Sequence, residues 1–253
     1  MMVRWSTPQG SAACSARMVF ISAVFASFVG RPWGIQGRVG YIGPMTPRLL
    51  LAGFGSFPAA PLNPSAAVIA TLARESWAPE GAQVDYLTLP VQWQGSAETI
   101  LRQVQSRPVD GVLVVGVAVE AQAFRVETLG RNCASRERPD QAGRVWGSPL
   151  VADTGEDLIA ATAPCQAMAS ALEAEGLPVA LSEDAGDYLC NFTLYRLLHA
   201  KAAPRVGFLH VPQARECAEA AAFELAQIQQ AVIAAASAFC IELTRPVAEP
   251  HTA

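Results

Sequence analysis

The chain is expected to fold as an α/β domain on a single open twisted, largely parallel sheet with helices on both faces. Three observations carry that expectation. Short apolar runs alternate along the chain with stretches of helical pattern. The most apolar run, Val109–Val117 (VDGVLVVGV), has no polar alternation, as expected of a central strand covered on both faces. About half of the 253 residues are apolar and only 16% are charged, enough to fill the core of one large domain.

The elements follow in order from Pro47. Arg48–Phe54 (RLLLAGF) is an apolar run closed by glycines and is expected to be a buried strand. Asn63–Ser76 opens on an Asn N-cap followed by Pro and is expected to be a helix. Gln83–Val91 reads as the next strand, Ala97–Gln105 as a helix, and Val109–Val117 as the central strand. Asp153–Gly176 contains a helix, interrupted near Pro164, with Gly176 as its C-cap. Pro178–Ser182 is expected to be a strand, Asn191–Lys201 a helix, Arg205–Val211 (RVGFLHV) a strand, and Glu216–Cys240 a long Ala-rich closing helix. No internal repeat or low-complexity linker divides residues 47–245, which read as one domain, with 246–253 as a flexible tail.

Residues 1–46 stand outside this pattern and are expected to be a leader, disordered or translated from a start upstream of the true one at Met45. Within them, residues 18–29 (MVFISAVFASFV) form an apolar run preceded by Arg4 and Arg17, a signal-like arrangement. The run is shorter than the ~20 residues of a membrane span, and Gly30-Arg31-Pro32-Trp33 follows it without a small-x-small cleavage site. A cytoplasmic location is therefore expected, with export or membrane anchoring as the alternative if the segment is a genuine signal.

Composition removes several function classes. A net charge of -4 and a pI near 5.4 give no basic field for nucleic acid, and no run of lysines and arginines supplies one locally. No stable membrane partner is expected. The six cysteines are scattered, without a C-x-x-C pair or histidines at ligand spacing, so neither zinc nor a disulfide framework is indicated. Zinc is therefore not expected.

The histidines are His199, His210 and His251, so any Cys/His or Ser/His chemistry must draw its base from them. His251 lies in the tail. His199 and Cys190 share one expected helix, where nine residues correspond to ~13 Å and opposite faces. His210 ends an expected strand just before Pro212, and the carboxyl ends of strands are where open α/β sheets place functional groups. Cys190 stands after a Gly-containing turn at an expected helix start, where unpaired N–H groups and the helix dipole favour a thiolate and can hold an oxyanion. By position alone, a cysteine there is more often a packing residue, and both readings stand at this point. Gly53-Phe54-Gly55 begins like a dinucleotide fingerprint, but Pro58 replaces the third glycine and a Pro-rich loop precedes the helix.

Four blocks in order make the chain resemble the pyroglutamyl peptidase I, or pyrrolidone-carboxylate peptidase, family from Pro47 to about Cys240. The family's G-F-x-x-F-G-G-x-x-x-N-P-S corresponds to Gly53-Phe54, Phe57 and Asn63-Pro64-Ser65. Its V-G-x-A, E-R-V-A-x-N and P-D-N-x-G correspond to Val115-Gly116-Val117-Ala118, Glu127 with Asn132, and Pro139-Asp140 with Gly143. Its A-G-T-x-V-C-N appears as Ala185-Gly186-Asp187-Tyr188-Leu189-Cys190-Asn191, and its G-G-F-I-H-V-P as Val206–Pro212.

The resemblance implies a Cys190, His210 and Glu127 triad. It implies a cysteine exopeptidase that removes N-terminal pyroglutamate from peptides through a thioester, with no metal or organic cofactor. It further implies a lactam pocket with Phe54 and Phe57 from the first loop, flanked by Tyr188 and Leu189, and some homo-oligomer. For Phe54 and Phe57 the plainer reading is core packing beside a strand. Several positions depart from the family: Pro58-Ala59 stands for Gly-Gly, Val117 for Gln, Glu137 for Arg, and Asp187 for Thr, which puts a negative charge near the nucleophile. These changes touch the pocket and spare the triad positions. They leave open a related thiol hydrolase with altered small-acyl specificity, or an inactive homologue that only binds peptides.

Overall fold

The computed structural model describes residues 46–244 other than Ala59. The expectations for the leader, including the signal-like segment 18–29, and for the C-terminal tail fall outside the described residues. The chain runs β1 (Arg48–Phe54), α1 (Pro64–Arg74), β2 (Gln83–Leu89), α2 (Ser96–Ser106), β3 (Gly111–Ala118), β4 (Phe124–Glu127) and β5 (Leu129–Arg131). It continues through β6 (Leu158–Ala160), α3 (Cys165–Ala174), β7 (Val179–Ser182), α4 (Leu189–His199), β8 (Arg205–Pro212) and α5 (Leu225–Leu243).

A six-stranded sheet has the order β2-β1-β3-β8-β4-β7. Its neighbours pair in parallel except β4, which runs antiparallel to β8 and carries β7 with it. The expected largely parallel sheet is present. The expectation of a single sheet is refined by β5 and β6, which form a separate two-stranded antiparallel ribbon.

Both faces are buried along β1, β3 and β8, which is why these strands read as apolar runs. Leu49, Leu51, Leu113, Val115, Leu209 and Val211 point to one face, against α1, α3 and α5. Their alternates Leu50, Ala52, Val112, Val114, Val206 and Phe208 point to the other, against α4 and Ile100 of α2. Each fully buried aliphatic or Phe side chain of these two layers contributes about 1.5–3 kcal/mol of transfer free energy. Helix α5 is long and apolar enough to cross a membrane by length and composition. Its buried residues Ile228, Ala231, Val232, Ala235, Ala236 and Phe239 form one stripe at helical spacing that packs into the core.

The helix boundaries have local causes. Asn63 caps α1 by accepting from the Ser65 N–H at 3.0 Å, with Pro64 in the first turn. Helices α1, α3 and α4 end in one pattern. Residues Trp77, Leu177 and Ala202 donate back to Leu72, Leu172 and Leu197, and the preceding Ser76, Gly176 and Lys201 take φ of 50°, 71° and 49°. Two expectations are corrected. Asp153–Pro164 is not helical; it holds β6, and α3 begins only after Pro164, because the residue before a proline is driven out of the helical region. The closing helix starts at Leu225 rather than Glu216. The preceding loop is held instead by the Arg215 side chain, which donates to Ala221 O, Ala222 O and Glu224 Oε1.

Candidate active site

A cleft of about 510 Å³ opens along the carboxyl ends of the parallel strands, lined by Phe54 of β1, Val117 and Ala118 of β3, His210 of β8 and Cys190 of α4. Its floor is set by register. His210 stands beside Gly116 on β3 and beside Arg125 on β4, while Glu127 stands opposite Phe208. Within β4, Phe124 and Val126 face the α1/α3/α5 layer, which turns Arg125 and Glu127 to the same face as His210. The Glu127 carboxylate crosses diagonally to His210, with Oε1 2.7 Å from Nδ1.

Glu127 is fully buried, and His210 is only 5% exposed. The Glu127 Oε1 accepts from the Nδ1–H of His210, which leaves Nε2 for the cleft. Cys190 lines the same cleft as His210 and is close enough to act on its charge. Burial alone would lower the His210 pKa. Interactions with Cys190 and with the hydrogen-bonded Glu127 carboxylate outweigh burial and push it up to about 9.

Cys190 is the second residue of α4, so the expected helix starts two residues earlier than Asn191 and still presents the thiol from its first turn. The sulfur comes close because Gly116 has no side chain. A Cβ there would lie 3.1 Å from the Cys190 Sγ and 2.7 Å from the Phe208 ring. The next residue, Asn191, fixes the start of α4 to the loop after β5. Its Oδ1 accepts from the Arg131 N–H at 2.9 Å, and its Nδ2 donates to Arg131 O and Cys133 O at 2.8 and 2.9 Å.

The other sequence-derived positions meet in the same cleft. Phe54, Phe57, Tyr188 and Leu189 all line it, and Phe54 and Leu189 also belong to the core. Phe57 sits in a turn closed by reciprocal backbone hydrogen bonds with Ala60, which holds it there without the family's two glycines. Asn63 donates to Gly55 O at 2.9 Å, and the Ser65 hydroxyl to Phe54 O at 3.1 Å, so the Asn-Pro-Ser block ties the first loop to α1. Tyr188 packs edge-on against Trp93 at 5.1 Å, under the Arg138 guanidinium at 4.6 Å, and donates its hydroxyl to Pro139 O at 2.8 Å. Burial, and then Asp140, push its phenol above the usual range. The Asp187 carboxylate turns to Arg138 at 3.2 Å. Asn132 and Asp140 are buried loop anchors: Asn132 accepts from Val151 and Ala152, and Asp140 from Trp93, Ala142 and Arg144.

Sequence reasoning missed three charged groups in the lining, Glu120, Arg125 and Arg138. Arg125 shares the face of Glu127 on β4, but a strand of four residues is too short for its alternation to stand out in the sequence.

The model of the pyroglutamyl peptidase family matches residues 47–240. The pyrrolidone-carboxylate peptidase of Chromobacterium violaceum is 34% identical over 164 residues, covering 65% of this chain and 77% of that protein. That of Thermococcus onnurineus is 30% identical over 169 residues, covering 65% and 83%. Among solved structures, the pyrrolidone carboxyl peptidase of Thermococcus litoralis superposes with a TM-score of 0.72 at 22% identity, over 78% of this chain and 94% of that one. The enzyme of Fervidobacterium islandicum gives 0.71 at 25%, over 76% and 97%. The shared fold and a family match that spans nearly all of the described residues agree with the cleft geometry: the chain belongs to the pyroglutamyl peptidase family of cysteine peptidases.

Proposed function

We propose that the chain hydrolyses the bond after an N-terminal pyroglutamate in peptides, with Cys190 as nucleophile, His210 as general base and acid, and Glu127 as the group that orients and stabilises the imidazolium. The observation that carries this reading is the buried Glu127–His210 pair at 2.7 Å, set in one cleft with the Cys190 thiol. The Cys190 sulfur attacks the pyroglutamyl carbonyl, and the His210 proton passes to the leaving amine, giving a thioester. Water, deprotonated by His210, then attacks the thioester, and pyroglutamate leaves with Cys190 restored. The N–H groups of the first turn of α4 have no partner within the helix, and in this reading they receive the oxyanion.

The lactam ring carries no charge and fits between Phe54, Phe57, Tyr188 and Leu189, where charged N-termini would be poorly solvated. The reaction needs no metal or organic cofactor. A nucleophilic thiol stays reduced most readily in a reducing compartment, and in this reading the protein works in the cytoplasm. Its expected homo-oligomer is checked by light scattering of the purified chain.

The test is release of fluorophore from a pyroglutamyl-aminocoumarin by the full chain under fresh reductant, with Cys190→Ala alongside. Turnover by the wild type that vanishes in Cys190→Ala supports the reading. A folded wild type that releases nothing overturns it.

A further inference from the structure

Arg125 is a cation that the chemistry above does not use. It lines the cleft, partly buried, and its guanidinium has neither a hydrogen-bond nor an ion-pair partner among the described residues. The other charges that face the cleft are occupied or distant. Arg138 pairs with Asp187, the charge on His210 is balanced by Cys190 and Glu127, and Glu120 is exposed and forms no ion pair with Arg125. A partly desolvated guanidinium without a partner favours an incoming anion, above all a carboxylate that can accept two parallel N–H bonds.

Strand order says which part of the substrate meets it. Across the sheet the sequence is β1, β3, β8, β4, so the cleft passes from Phe54, to Gly116 beneath the Cys190 sulfur, to His210, to Arg125. The lactam ring lies at the Phe54 end and the scissile carbonyl at Cys190, so the leaving amine lies over His210. What is attached to that amine continues towards β4, where residues paired across strands have their Cβ atoms about 4.5–5.5 Å apart. Resting on the peptidase reading above, we infer that Arg125 binds a carboxylate carried by the residue that follows the pyroglutamate. That carboxylate comes either from an Asp or Glu side chain or from the free C-terminus of a pyroglutamyl dipeptide.

The experiment compares kcat/KM at low ionic strength for pyroglutamyl-Glu amide, pyroglutamyl-Gln free acid and the neutral pyroglutamyl-Gln amide. At least one of the two acids is expected to exceed the neutral amide by about tenfold, the scale of one charge-assisted hydrogen bond, and which acid does so identifies the source. In Arg125→Met that ratio falls to about 1, and in Arg125→Glu pyroglutamyl-Lys amide overtakes pyroglutamyl-Glu amide. Ratios near 1 in the wild type, or a preference that survives in Arg125→Met, overturn the inference. The same ratios read as Kd by calorimetry on Cys190→Ala do not depend on turnover. A carboxylate preference in binding without turnover in the wild type would therefore sink the peptidase reading and leave the carboxylate site standing.

Discussion

Glu127 reaches His210 on a diagonal. It pairs in register with Phe208, yet its carboxylate lies 2.7 Å from the Nδ1 of the histidine two residues further along β8. The reversed direction of β4 brings this about, because Glu127 is the last residue of its strand while His210 lies near the carboxyl end of β8.

Replacing Glu127 with Gln keeps an acceptor for Nδ1 but removes the buried negative charge. A fall in kcat on the order of 10²–10⁴-fold is expected in the aminocoumarin assay, with KM little changed, since Glu127 does not line the cleft. An equal loss spread between kcat and KM would argue for collapse of the site instead.

The pH dependence follows from His210. Its folded pKa of about 9 lies above the unfolded value near 6.5, so its contribution to stability is fully present below ~6.5 and is lost as pH rises through about 9. Melting temperature is therefore expected to decline across that window in the wild type. The decline should be smaller in Glu127→Gln, where one of the groups that raise the pKa is gone. Activity should fall on the alkaline side near pH 9, with the limb moved lower in the variant.

Gly116→Ala places a methyl 2.7 Å from the Phe208 ring and 3.1 Å from the Cys190 sulfur. The ring is packed and fully buried, so the sulfur is the group displaced most readily. A stability loss of about 1–3 kcal/mol is expected in urea denaturation. The accompanying fall in kcat should exceed tenfold, because nucleophile alignment is lost by shifts of about 1 Å.

Ser76 and Lys201 adopt left-handed backbone where α3 uses Gly176 for the same helix ending. Both are exposed, so their replacement removes little packing. Ser76→Gly and Lys201→Gly are each expected to stabilise the fold by about 0.5–1 kcal/mol, the relief of left-handed strain net of the entropy of glycine. That corresponds to a rise of about 1–4 °C in Tm, whereas Gly176→Ala should move Tm down.

The legible parts of the molecule were those with strong local signals. β1 matched to the residue and β3 and β8 within one or two, because strands covered on both faces carry unbroken apolar runs. Cys190 and His210 could be paired from position because the chain has so few histidines. Glu127 could not, since a four-residue strand has no periodicity to separate one acid from 22, and it came only through family resemblance. β4, β5 and β6 were missed for the same reason: short strands are fixed by partners distant in sequence, such as Asn191 holding Arg131 across 60 residues. Arg125 went unnoticed because what distinguishes it, the lack of a partner, exists only in three dimensions.

The partners of the Glu127–His210 pair lie 83 residues apart along the chain, and they meet only through the pairing of β4 with β8. Closing a loop of that length is slow compared with forming helices and neighbouring strands. A chain that had assembled β1, β2 and β3 with their helices would thus be compact and yet inert. His210 would meet Glu127 only once β8 has joined both β3 and β4, so half-formed chains would lack the assembled cleft.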